Sequence, residues 1–113
     1  PPRLRRQRQM CIRDSAEASI AFRKGLYGAL AEVEDALSAK TQLERQAEQR
    51  MRAFEEAQLA AFLAQTRFEL GTTDAAPWLE AQRARRSAEL EWLANRLARL
   101  ENRIDLFLAL GGG

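Results

Sequence analysis

Between Ala16 and Leu110 only one stretch strongly breaks a helix, ELGTTDAAPW from Glu69 to Trp78. The residues around it are dominated by Ala, Glu, Leu, Arg and Gln, all strong helix formers. Gly71 can adopt the left-handed backbone that ends a helix. Thr72, Thr73 and Asp74 are good caps for the next one. Pro77 is tolerated only in a first helical turn, which places the second helix start close before it. Gly25 and Gly28 each weaken a helix by about 1 kcal/mol relative to Ala, which a long helix absorbs. The reading is a helix over about 16–70, a tip turn over 71–76 and a helix over about 77–110. A short connection makes the two helices antiparallel neighbours, so the expected fold is all-α, a long helical hairpin of coiled-coil type.

The apolar periodicity supports two helices. In the second, Leu90, Leu93, Leu97, Leu100, Ile104 and Phe107 form an unbroken heptad stripe. In the first, Leu26, Leu30, Val33 and Leu37 begin a stripe. It continues less regularly through Leu43, Ala47, Met51, Phe54, Ala57, Ala61 and Phe68. These stripes are the expected contact between the helices. Glu32, Glu34, Glu48, Arg52, Arg96, Arg99 and Arg103 fall elsewhere and read as solvated. At about 1.5 Å per residue the helices span roughly 80 and 50 Å, too long for a compact domain. Phe62, Leu63, Trp92, Leu106 and Leu108 are left without an obvious partner, which predicts a larger bundle or an oligomer.

The first fifteen residues read differently. RRQRQMCIRDS, Arg5 to Ser15, looks residue for residue like one frame of the adapter end used in transposon-based sequencing libraries. It is treated as a cloning or assembly scar, with Pro1 to Leu4 upstream, so residues 1–15 are expected to be artefactual or disordered. They hold five of the 18 Lys and Arg residues, one of the 16 Asp and Glu residues and the only cysteine. The remainder carries 13 basic and 15 acidic residues, a net charge of −2. That removes the main support for a nucleic-acid partner, which would rest on Arg83, Arg85 and Arg86 alone.

Enzyme chemistry fails on inventory. The sequence has no histidine, no phosphate-binding glycine loop and no metal-ligand spacing, so no catalytic residue, cofactor or metal is expected. Glu34/Asp35 and Glu55/Glu56 are adjacent in sequence and point apart on a helix.

Three spans carry a family resemblance: YGALAEVEDALSA (Tyr27 to Ala39), AQTRFELGTTDAAPWLEAQR (Ala64 to Arg83) and RLARLENRIDLFLALGGG (Arg96 to Gly113). Together they resemble the C-terminal helical repeat of TolC-like outer-membrane factors. The nearest branch is the outer-membrane efflux lipoproteins typified by OprM and NodT. That family shows an EVADAL-type opening, an RYxxG turn followed by LDAQR, and an LYKALGGG-type ending. The resemblance covers nearly all of residues 16–113 in order and spacing. It implies a homotrimer with a β-barrel in the outer membrane of a Gram-negative bacterium and a long α-helical tunnel in the periplasm. A periplasmic adaptor and an inner-membrane pump complete such an efflux or export system. This chain is then the last hairpin of the tunnel, with the barrel strands and lipidated N-terminus outside it. The alternative is a soluble coiled-coil interaction or scaffold module. Heptads alone allow that, but they leave the three motifs unexplained.

The resemblance also implies site residues. Gly71, with Leu70 and Thr72, matches the periplasmic tip at which the family's hairpins meet the adaptor. Gly71 also reads simply as a helix cap. Phe68 stands where relatives often have a Tyr that bonds across the closed tunnel mouth, and Phe lacks that hydroxyl. Glu80 holds the acidic position of LDAQR, so three copies would form an acidic ring. Phe68 and Glu80 are the implied tunnel constriction. A seam aromatic and an ordinary solvated Glu are their plainer readings. Trp78 beside the tip reads as a core or inter-hairpin anchor.

Overall fold

The computed structural model describes residues 2–112. Pro1, within the segment expected to be artefactual, and Gly113, at the end of the third resembling span, lie outside the described residues. Two helices account for the regular structure: α1 (Pro2–Glu69) and α2 (Ala75–Ala109). They run antiparallel in a rod of 104 × 19 × 18 Å.

Helix α1 begins earlier than expected. It runs through residues 2–15 without a break, where a scar or disorder was anticipated. The physical reason is local. Arg, Gln, Met and Leu are good helix formers and no breaker lies between Pro2 and Ser15, so an in-register helix extends backwards from Ala16. Every described residue up to Glu32 is exposed.

Both helices end in the same way. Gly71 has φ +75° and Gly111 φ +82°, the left-handed region in which a Cβ crowds the carbonyl. Around Gly71, the Thr72 N–H donates to Arg67 O at 3.0 Å and the Gly71 N–H to Phe68 O at 3.0 Å. Around Gly111, the Gly112 N–H donates to Phe107 O and the Gly111 N–H to Leu108 O, both at 3.0 Å. This paired pattern is the Schellman motif, which satisfies carbonyls left open by the last turn. Asp74 caps α2 with an extended backbone, φ −69° and ψ 170°, and makes no side-chain cap bond. Pro77 sits in the first turn of α2, where no N–H is required of it.

The contact between the helices is narrow. Among the described residues the buried hydrophobics are Ala36, Phe54 and Ala61, all on α1. From α2 the two buried residues are polar, Asn95 and Asn102. Half-buried Trp78, Ala81, Ala88, Trp92, Leu106 and Ala109 extend the same stripe at heptad spacing. Phe54 meets Trp92 with ring centroids 5.7 Å apart, and Phe68 meets Trp78 at 5.2 Å.

This corrects the expected contact. Leu90, Leu93, Leu97, Leu100, Ile104 and Phe107 are all exposed, between 41% and 67%. On α1, Leu26, Leu30 and Leu37 are exposed as well, while Val33, Leu43, Ala47, Phe54, Ala57 and Ala61 do turn towards α2. Trp92 and Leu106, which had no obvious partner in the sequence, lie on the α1 side. Arg99 is half-buried, its Nε donating to Asn95 Oδ1 at 3.0 Å, so it is not simply solvated.

Candidate functional site: the hairpin tip and the outward seam

The apex is built by the end of α1. The Thr72 hydroxyl donates to Arg67 O at 3.0 Å, the carbonyl that already accepts the Thr72 N–H. Thr72 is thereby fixed against α1 and Leu70 is left 73% exposed at the turn. A Cβ added to Gly71 would meet no heavy atom within 4 Å. The demand for glycine there is therefore one of backbone angle, and a side chain at 71 would project outwards. Leu70, Gly71 and Thr72 thus form one continuous exposed surface.

Phe68 and Glu80 are not brought together in the same way. The Phe68 ring stacks on Trp78 at 22° between planes, so one of its faces is committed to the inter-helix seam. Glu80 is exposed and two residues beyond Trp78, about 160° away around the α2 axis. It flanks the outward side of α2. Trp78 Nε1 is buried with no hydrogen-bond partner.

Further from the tip the contact is made by amides. Asn95 Nδ2 donates to Leu43 O at 3.1 Å and Asn102 Nδ2 to Ala36 O at 3.0 Å. Donors and acceptors are both one heptad apart, so two rungs of one ladder tie the helices in a single register. Each carbonyl has a second lone pair beyond its intrahelical bond. The small side chains of Ala36 and Ala39 allow α2 to come close enough to reach it. An exposed ion pair, Arg50 to Glu91 at 2.9 Å, adds a surface contact.

The geometry of α2 then places its leucines. Leu93 and Leu97 lie about 160° to either side of Asn95, and Leu100 and Ile104 do the same about Asn102. With the amides facing α1, the leucine stripe points directly away from it. α2 thus has one face packed on α1 and an opposite apolar face left exposed. Sequence reading found the stripe and missed the amides. Their signal was present as a second heptad row, Trp92, Asn95, Asn102, Leu106 and Ala109, but its polar members concealed it.

A helical rod with a capped tip and an unfilled heptad face fits a component of a larger helical assembly, and sequence comparison supplies the class. The chain is a homologue of outer-membrane efflux and export proteins. It is 33% identical over 111 residues to the pyoverdine export outer membrane protein OpmQ of Pseudomonas aeruginosa, covering 98% of this chain and 23% of that protein. It is 31% identical over 111 residues to OpmQ of Pseudomonas putida, covering 98% of this chain and 24% of that protein. It is 32% identical over 92 residues to the toluene efflux pump outer membrane protein TtgC of Pseudomonas putida, covering 81% of this chain and 19% of TtgC. The 98% matches take in most of Arg5 to Ser15 as well. The chain spans about a quarter or less of the length of these curated relatives. No family model matches it, and no solved structure does. The relatives are membrane export components, in keeping with the expectation that the chain is not an enzyme. Among the described residues no helix is long and apolar enough to cross a membrane.

Proposed function

We propose that this chain is a helical hairpin from the periplasmic tunnel of an outer-membrane export duct, assembled as a homotrimer and served by a periplasmic adaptor and an inner-membrane pump. The observation that carries the reading is the outward leucine stripe. A helix that meets α1 on one side and presents an apolar heptad stripe on the other is suited to be a stave in a wall of helices. A free-standing two-helix coiled coil would have turned its leucines inward. The anchoring to the outer membrane belongs to a β-barrel outside this chain.

In this reading Leu70, Gly71 and Thr72 form the adaptor-docking tip. Their exposure and the fixed geometry of the turn support it. Glu80, outward on α2, faces the tunnel or a neighbouring helix and contributes an acidic ring in the trimer. Phe68 narrows the mouth indirectly, by fixing Trp78 and so the angle at which α2 leaves the tip. The test uses the full-length protein. Gly71→Trp places a large side chain outward at the apex, with strain on the order of 1 kcal/mol from the left-handed backbone. Export and adaptor crosslinking at position 72 are expected to fail while trimer assembly and outer-membrane insertion persist. Normal export with normal crosslinking would remove the tip assignment.

A further inference from the structure

The stripe that α2 turns outward carries information about what covers it. Its apolar part, Leu90 to Phe107, extends about 25 Å along the helix. Towards the tip the same heptad positions are occupied by Arg86 and Arg83. Along one edge of the stripe lie Arg96 and Arg103. None of these four guanidinium groups forms an ion pair among the described residues. Of the acidic residues nearby, Glu89 is engaged by Arg85 at 3.4 Å and Glu91 by Arg50 at 2.9 Å. Glu101, on the opposite edge of the apolar part, remains uncommitted among the described residues. Glu80, towards the tip on the same side, is likewise without an ion pair among the described residues, so four unmatched arginines stand against two unmatched carboxylates and the apolar stripe has a net positive border.

We infer that the outward face of α2 is the seat of a partner helix of acidic character, with an apolar heptad stripe opposite Leu90 to Phe107 and carboxylates opposite Arg83, Arg86, Arg96 and Arg103. This rests on the reading of the chain as one stave of a helical wall and adds the chemistry of the neighbouring stave. The strict spacing of three and four residues selects a helix over a lipid surface, which is better served by a broader apolar face. A second copy of α2 fits poorly. Paired in parallel it sets Arg83 against Arg83 and Arg86 against Arg86 within the seam. Paired antiparallel about the middle of the stripe it sets Arg96 beside Arg103. Like charges at flanking positions set partner choice in coiled coils, here against self-pairing.

The experiment uses the 113-residue chain and two designed amphipathic peptides, each about four heptads long, with the same Leu and Ile core. One carries Glu at every flanking position and the other Lys. Binding is followed by fluorescence anisotropy at physiological salt, with phosphatidylcholine–phosphatidylglycerol vesicles as a third arm. The Glu peptide is expected to bind at least about tenfold more tightly than the Lys peptide, and Arg96→Glu with Arg103→Glu to reverse that order. Both substitutions are at exposed sites, and circular dichroism verifies that the helices persist. Leu97→Asn with Leu100→Asn is expected to abolish binding of both peptides. Equal binding of the two peptides, preference for the Lys peptide, vesicle binding without peptide binding, or a homodimer that excludes both would each overturn the inference. Such an outcome leaves the tip assignment standing, because export and position-72 crosslinking read the other end of the hairpin.

Discussion

The tip half and the far half of the hairpin follow the same heptad geometry but are joined by different chemistry. Near the tip, Phe54 with Trp92 and Phe68 with Trp78 bring large aromatic surfaces from both helices into contact. In the far half, α2 offers α1 two amides among small side chains and directs its leucines elsewhere. The tip half therefore places two aromatic pairs in the contact, although Phe62 and Leu79 in the same half stay exposed. The far half leaves the stripe leucines of α2 exposed and relies on hydrogen bonds whose net contribution is about 1 kcal/mol each. A hairpin built this way is joined by aromatic packing nearer the turn and by amide hydrogen bonds further from it.

The largest expected effect tests the aromatic half. Trp92→Ala removes the partner of Phe54 and should cost about 3 kcal/mol in urea unfolding of the chain, as expected for deleting a large aromatic from a packed contact. A loss under about 1 kcal/mol would mean that the aromatic contacts do not dominate the tip half.

A smaller effect tests the amide half. Asn102→Ala should cost about 1 kcal/mol and lower hydrogen-exchange protection beyond Asn95, with the Phe68–Trp78 end unchanged. Uniform loss of protection along both helices would show that the two halves are not separately held.

Smaller still is the expected cost of damaging the outward stripe. Leu97→Gln should change the stability of the isolated chain by no more than about 0.5 kcal/mol, the range of an ordinary surface change. A heptad core leucine would cost several times more, so this measurement separates the observed arrangement from the inward-leucine arrangement that the sequence favours.

Removal of residues 1–15 should have the least effect. Residues 2–15 form the exposed beginning of α1, beyond the reach of α2: Asn102 lies level with Ala36, which puts the end of α2 near Ala29. Unfolding free energy should shift by less than about 1 kcal/mol, although helical content falls with the shorter chain. A larger loss would make this segment part of the fold and not an appendage.

The sequence by itself determined the number of helices, their approximate ends and the reversal between them. Those features depend on local chemistry: propensity within the helices, the left-handed angle at Gly71, and the missing N–H of Pro77. It also determined that a heptad seam exists on α2, because periodicity is a property of one helix. Which partner that seam meets is a property of two. Leu90 to Phe107 gave the strongest pattern, and yet α1 lies against Asn95 and Asn102. The reason is that an amide gains its place in a contact only when a carbonyl on another segment, here Leu43 or Ala36, stands within hydrogen-bond distance. No spacing within α2 reveals that acceptor. Tertiary structure alone decided which face of α2 turns inward, and with it which face is left exposed.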